Sequence, residues 1–467
     1  MIKIIYISRS NFKKTLRLAF GISLGASVLL TSCNKTSDVV DPANISKSAD
    51  TYSSEVPLKW ADLNLKLIRT TAGFSPPVAS RALGYAGLTM YESVVAGMTG
   101  YQSLAGQLTD LNSLPKPDAT KEYNWALVAN SAEATILKSL FASTSAANKT
   151  TIDSLNTALE TAFKGSNAQT TIDRSKAYGV ELANAIFEWS KTDGGHEGYT
   201  RNFPTSYIIP EGVGFWQPTE NGIIHPMQPY WGKNRTFVKA NSLLPLPTIL
   251  PASYRTDSDF YKEYKAVYDK NISLTQEEKE ISIWWADDPS ETFTPPGHSY
   301  SLAKIVVTQE GTKSNLGKAA ETFAKVGISV ADAFVSCWKC KYTYNNVRPY
   351  TYVRETIDPN WVPFWPAPPF PGFTSGHATQ SSAAATALAN IYGDNYSFTD
   401  NSFVGRPKDT KRNTEFKARS FTSFSQTAQE SANSRFYGGI HTKMDNNTGL
   451  VEGKKIGTNV VNLKWKK

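Results

Sequence analysis

The chain has 467 residues, too many for one small core and enough for one large helical domain or two fused ones. At 40% hydrophobic and 12% aromatic, most of it can bury a core, which excludes a largely disordered chain. The formal charge of +8 is no nucleic-acid footprint: residues 1–32 hold Lys3, Arg9, Lys13, Lys14, Arg17 and no acid, leaving about +3 elsewhere and no basic stripe.

The cationic start leads into an apolar run, Leu18 to Leu30, too short to span a membrane as a helix. Leu30-Thr31-Ser32-Cys33 resembles a bacterial lipoprotein signal cut before Cys33; an ordinary signal peptide with an incidental cysteine is the alternative. Two acyl chains on Cys33 would suffice for stable anchoring and would place the protein on the periplasmic or cell-surface side. Beyond Cys33 no apolar run is long enough to cross a membrane. The expected division is a signal peptide (1–32), a flexible stalk rich in Ser, Thr, Asp and Asn (33–55), an N-terminal helical region with covering loops (56–313) and a helical region carrying the site (314–467).

Helical signals follow from Trp60 to Thr71, and from Pro76, capped by Ser75, to about Val95. Residues 122–145, 148–164 and 172–191 give three more. Between 193 and 255 Gly, Pro and aromatic residues crowd together, as in Trp216-Gln217-Pro218-Thr219 and Pro229-Tyr230-Trp231-Gly232; such a stretch reads as functional loop or cover. Helices resume over 257–270, 275–287 and 298–310. A long one over 314–342 sets Ala320, Phe323, Val326, Val330, Phe334 and Cys337 at helical spacing. No series of alternating strands appears, so the fold class is all-α. Cys337 and Cys340, three apart on that helix, read as small buried residues, with a redox pair as the alternative.

Three clusters near the C-terminus carry chemistry. Lys341 continues the buried stripe one turn past Cys337, and Arg348 lies seven residues on, with Pro349 expected to stop any helix. Two buried cations need an anion. Ser375-Gly376-His377 opens an Ala/Ser-rich helix ending at Gly393; it offers backbone N–H groups, a hydroxyl, the positive dipole end and a proton-transfer group. Arg435, His441 and Asp445 form the third cluster. Gly438-Gly439 break the helix so that His441 turns inward, and Asp445 can fix its tautomer, leaving the other nitrogen free to attack phosphorus or ligate a metal. Taken singly, a surface pair, a capping turn and an ion pair are the plainer explanations. Together they supply what a tetrahedral oxyanion needs on the way to five-coordination.

The order Lys-x6-Arg-Pro, Ser-Gly-His, Ser-Arg-x5-His-x3-Asp resembles the signature of the type 2 phosphatidic-acid-phosphatase and vanadium-dependent haloperoxidase superfamily, with Thr374 where a proline is usual. Trp338 and Phe370 fall where the haloperoxidase branch places aromatics beside vanadate. Trp285-Ala286-Asp287-Asp288, Thr294-Pro295-Pro296-Gly297-His298 and the helix from Pro76 to Ala82 also look like that branch. The resemblance implies vanadate as cofactor, with phosphate able to occupy the same pocket. His441 would bond the vanadium; Lys341, Arg348, Ser375, Gly376 and Arg435 would hold its oxygens. Asp288 would support Arg435, and His377 would move a proton at bound peroxide. Hydrogen peroxide and a halide, iodide or bromide first, would be the substrates, with an organic acceptor as a further candidate partner. An acid phosphatase working through a phospho-His intermediate and a non-catalytic anion-binding lipoprotein are the alternatives. His196, His225 and His298 stand in separate loops without ligand spacing and read as structural.

Overall fold

Side-chain caps start several of the helices in the computed structural model, which describes residues 46–220 and 222–467. The signal segment, Cys33 and most of the expected stalk lie outside the described residues. α1 (Glu55–Thr70) and α2 (Pro76–Val94) are followed by α3 (Trp125–Leu140), whose first amides are taken by the Asn124 side chain. α4 (Ala146–Phe163) and α5 (Gln169–Ser190) complete the first half. After the aromatic loops come α6 (Lys239–Ser242), α7 (Asp259–Asn271), α8 (Gln276–Trp284) and α9 (Thr294–Glu310). Then follow α10 (Leu316–Tyr344), α11 (Pro349–Thr356), α12 (Gly376–Tyr392), α13 (Phe424–Tyr437) and α14 (Lys443–Val461). A short antiparallel pair, β1 (Phe398–Asp400) with β2 (Arg419–Phe421), sets Phe398 opposite Phe421. The fold is all-α apart from this ribbon.

Every residue of α2 is buried, so it lacks the polar face of a surface helix and must be wrapped by others. It packs chiefly on α10, and also on α3, α5 and α9. That contact joins the two regions expected to divide at 313/314, and the described residues belong to a single compact unit. The polar stretch just before α1 is also part of the body. Tyr123 N donates to Ser46 Oγ, Ser48 Oγ donates to Gly97 O, and Ala49 is fully buried. The expectation of a flexible stalk reaching residue 55 is thus corrected: the serines find backbone partners instead of water.

Two further boundaries differ from expectation. Pro349 starts α11 rather than stopping a helix, because its locked φ and missing N–H suit a first helical position. α9 begins at Thr294 with prolines at its start, which draws His298 into the first turns and the interior.

α12 and α14 cross closely enough to fix the site. Gly449, Gly453 and Gly457 form a ridge on α14 against the backbone of α12. A Cβ on Gly453 would stand 2.1 Å from Thr379 O, so no side chain fits without moving a helix. Gly453→Ala should therefore cost about 1–3 kcal/mol, read as a lower denaturant midpoint, because a packed core resists insertion. An unchanged midpoint would show that the crossing is loose.

Candidate active site

Five elements converge around a cavity of about 210 Å³ that Trp338, Phe370, Gly376, His377, Arg435 and His441 line and that Lys341, Arg348 and Ser375 do not. Trp338 and Lys341 come from the end of α10, and Arg348 is the residue before α11. Phe370, Ser375, Gly376 and His377 come from the loop into α12, Arg435 from the end of α13, and His441 from the turn before α14. The turn is possible because Gly439 adopts φ +75°, which glycine reaches without strain.

Lys341, Arg348 and Arg435 are all buried, and none forms an ion pair among the described residues. They are held by carbonyls instead. Lys341 Nζ donates to Pro371 O (2.9 Å) and Gly372 O (2.8 Å). Arg348 donates from Nε to Phe370 O (2.7 Å) and from Nη1 to Ile440 O (2.9 Å). Arg435 donates from Nη1 to Trp285 O (2.8 Å), while its Nε is buried without a partner. Burial disfavours each charge: it pushes Arg348 down to about 9 and Arg435 to about 10, and it lowers Lys341 as well. Asp445 acts on Lys341 and Arg348, and Asp287 and Asp288 act on Arg435, yet burial outweighs these charges and the carbonyl dipoles at all three cations. The electrostatics call for a bound anion.

His441 is shaped to meet that anion. Its Nδ1 lies 2.9 Å from Asp445 Oδ2, and Arg348 Nη1 donates to its Nε2 at 3.2 Å. This pairing assigns the proton to Nδ1 and a lone pair to Nε2. Burial and then the three cations keep the ring's pKa well below its usual value, so it is neutral and able to ligate. Asp445 serves twice, because it also closes the capping box of α14 with Thr442. Asp445→Asn should weaken binding of a metal oxyanion by about 10- to 100-fold, the usual effect of losing an outer-shell partner. Equilibrium dialysis of orthovanadate checks this, and an unchanged affinity would remove Asp445 from the site's machinery.

Ser375 caps α12 and is fully buried. Gly376 beside it faces open space: a Cβ built there would meet only the Trp338 ring, at 3.7 Å. The cradle thus leaves room for oxygens at a helix N-terminus. Trp338 and Phe370, tilted 45° to each other with centroids 5.0 Å apart, wall one side. Met227, Trp365 and the prolines 366, 368 and 369 also line the cavity, so its walls are mostly apolar. The aromatic loops therefore contribute cover at Met227, which donates its amide to Pro369 O.

The expected support of Arg435 by Asp288 is not a direct contact. Asp288 lines the cavity, where burial raises its pKa to about 6 against the lowering pull of Arg435, but the two make no ion pair. Asp287 is the carboxylate that sequence reasoning missed. α8 ends at Trp284 instead of 287, and Asp287 then takes φ +56°, turning its side chain inward. Its Oδ2 stands 3.4 Å from His377 Nε2, and its other face meets His298 Nδ1 at 3.0 Å. His377 has its pKa lowered to about 4, first by burial and then by Arg435, with Asp287 opposing. His298 is fully buried far from any loop surface, while His196 and His225 are only half-buried and outside the cavity. Cys337 and Cys340 are buried free thiols; Cys337 Sγ lies 3.5 Å from Thr374 O, just behind Ser375.

Comparison with known proteins agrees with this geometry. The family model described as VCPO second helical-bundle domain matches residues 321–466, which contain every site residue except Asp287 and Asp288. The vanadium chloroperoxidase of Curvularia inaequalis is 30% identical over 133 residues, 24% of this chain and 22% of that protein. The match thus spans about a fifth of the fungal protein's length. The crystal structure of the first bacterial vanadium-dependent iodoperoxidase is similar with a TM-score of 0.76 and 37% identity, over 88% of this chain and 96% of that one. A holo-type bacterial vanadium-dependent chloroperoxidase has a TM-score of 0.65 at 15% identity, over 84% of this chain and 92% of its own, a likeness of fold alone.

Proposed function

Since the chain belongs to the vanadium-dependent haloperoxidase family, we propose that it oxidises a halide, iodide or bromide before chloride, with hydrogen peroxide to hypohalite. The observation that carries this reading is the set of three buried cations, none in a direct ion pair among the described residues, around a neutral His441 lone pair. That donor set fits vanadate, which when bound would activate peroxide as a Lewis acid without changing its own oxidation state.

The chain's own groups then have distinct tasks. His441 Nε2 would hold the metal; Lys341, Arg348, Arg435, the Ser375 hydroxyl and the Gly376 amide would bind its oxygens. His377, neutral and facing the cavity, can take a proton from peroxide and return it to the product. Trp338, Phe370 and the proline wall exclude water and suit a weakly hydrated halide. The same wall includes Met227 and Trp365, side chains that a strong oxidant attacks, and this favours the milder products of iodide and bromide over hypochlorite. Phosphate would compete for the pocket, and a PAP-type phosphatase would use His441 as nucleophile instead.

The deciding experiment uses the chain lacking residues 1–33, freed of metal and assayed with and without orthovanadate. Peroxide-dependent oxidation of iodide, bromide and chloride is followed beside hydrolysis of a generic phosphate ester. Halide oxidation that needs vanadate and falls with added phosphate is the expected result. Ester hydrolysis inhibited by vanadate, with no halide oxidation, would overturn it. We infer from the residues around Cys33 that the native protein is an exported lipoprotein; palmitate labelling lost in Cys33→Ala is the expected result, and retained label would refute the anchor.

A further inference from the structure

His298 lies behind the site, and its geometry gives it a task. Its Nδ1 faces Asp287 Oδ1 at 3.0 Å and Oδ2 at 3.2 Å, and its Nε2 faces Asp400 Oδ2 at 2.8 Å. All three side chains are fully buried. Carboxylates only accept hydrogen bonds when ionised, so a ring placed between two of them satisfies both only with protons on both nitrogens. Aromatic rings close the remaining sides: Trp285 stacks on the imidazole at 4.3 Å, and Phe403 and Phe293 stand edge-on at 4.7 and 6.2 Å. The charged and titratable groups facing His298 are therefore Asp287, from the segment after α8, and Asp400, from β1, with His377 of α12 beyond Asp287.

Asp400 is a fixed anchor. Trp284 Nε1 donates to its Oδ2 at 2.6 Å and Ser402 N donates to its Oδ1 at 3.0 Å. Asp287 is the movable end, because beyond His298 its remaining partner is His377 at 3.4 Å. The arrangement forms a line from the β-ribbon to the cavity: Asp400, His298, Asp287, His377.

We propose that His298 is a positioning residue for the reaction, a buried imidazolium that ties Asp287 to Asp400 so that Asp287 stays ionised and holds the His377 ring toward the cavity. Burial alone would strip the proton, but the two carboxylates outweigh it and raise His298 to about 10, while Asp287 is held well below the ordinary carboxylate range. Loss of the cation would leave two buried carboxylates with one fewer partner each, free to take up a proton or rotate. His377 would then lose the carboxylate that faces its Nε2 at 3.4 Å, while the hydrogen bonds of Lys341, Arg348 and His441 stay as they are. The inference rests on the haloperoxidase reading only for its turnover arm.

The test is made on the full-length protein with His298→Gln and Asp400→Asn. Expected is a fall in kcat of about 10- to 100-fold, the scale of outer-shell losses, with vanadate affinity by equilibrium dialysis and the KM for peroxide kept within about threefold. A folded His298→Gln with wild-type kcat overturns the proposal, and so does one that loses vanadate as severely as turnover. Asp400→Asn keeps the shape and removes one charge, so a smaller fall confined to kcat is expected; an effect confined to vanadate affinity overturns it. Nitrogen-15 spectra of histidine-labelled wild-type protein give an arm independent of both folding of variants and activity. One buried ring protonated on both nitrogens at pH 8 is expected, and a neutral His298 at that pH would sink the idea.

Discussion

His441→Ala should lose vanadate and turnover together, with affinity falling by more than the 10- to 100-fold typical of an outer-shell change. The imidazole is neutral, and its Nε2 lone pair faces the cations of the site. Asp445 accepts a hydrogen bond from Nδ1–H at 2.9 Å, and Arg348 donates to Nε2 at 3.2 Å, so Nε2 is the nitrogen that would hold a metal. Alanine would leave the three cations in place, so a tetrahedral anion would still be attracted, and phosphate binding should persist. What disappears is the ring nitrogen that would hold the metal. Dialysis against orthovanadate followed by metal analysis measures the first effect, and iodide oxidation at saturating vanadate measures the second. Retained vanadate with normal turnover would move the metal to another residue and undo the assignment. Retained turnover with lost tight binding would mean that the cations alone hold a competent cofactor.

The site was legible where its parts are local in sequence. His441 and Asp445 lie within one capping motif, Ser375 to His377 at one helix start, and Lys341 on the stripe that Phe334 and Cys337 begin. In each case spacing on a helix fixes direction, and three buried cations point to an anion. The Asp287–His298–Asp400 line was not legible, because its members stand 11 and 102 residues apart and no periodicity links them. The choice between Asp287 and Asp288 turns on one left-handed backbone angle after α8, which neighbouring identical side chains cannot signal. Pro349 shows the same limit: a proline is compatible with the end of one helix and the start of the next, and packing of α11 against α7 decides for the start. The all-α class was legible from helical periodicity. The 398–421 ribbon was not, its strands being too short to alternate.

His377→Ala should separate what His441→Ala joins: vanadate affinity within a few-fold of wild type, and kcat lower by about 10²- to 10⁴-fold, the usual worth of general acid–base catalysis. The ring lines the cavity but bonds none of the three cations, so its removal leaves the anion cradle intact. Its proton is the variable part. Burial and Arg435 bring His377 down to about 4, so at neutral pH it is a free base ready to accept a proton. A bound oxyanion would add negative charge near the ring and raise that value toward the working pH, where a shuttle is most effective. Stability of the cofactor-free protein carries the same signature. Between about pH 6.5 and 4 the unfolded chain binds a proton at His377 that the folded chain refuses, so stability falls as pH is lowered through that window. His377→Ala removes this contribution, leaving that of His441, and its acid-side loss should be shallower than wild type's. Turnover within threefold of wild type would assign proton transfer elsewhere, with Asp288, whose carboxyl is raised to about 6 in the same cavity, the next group to change.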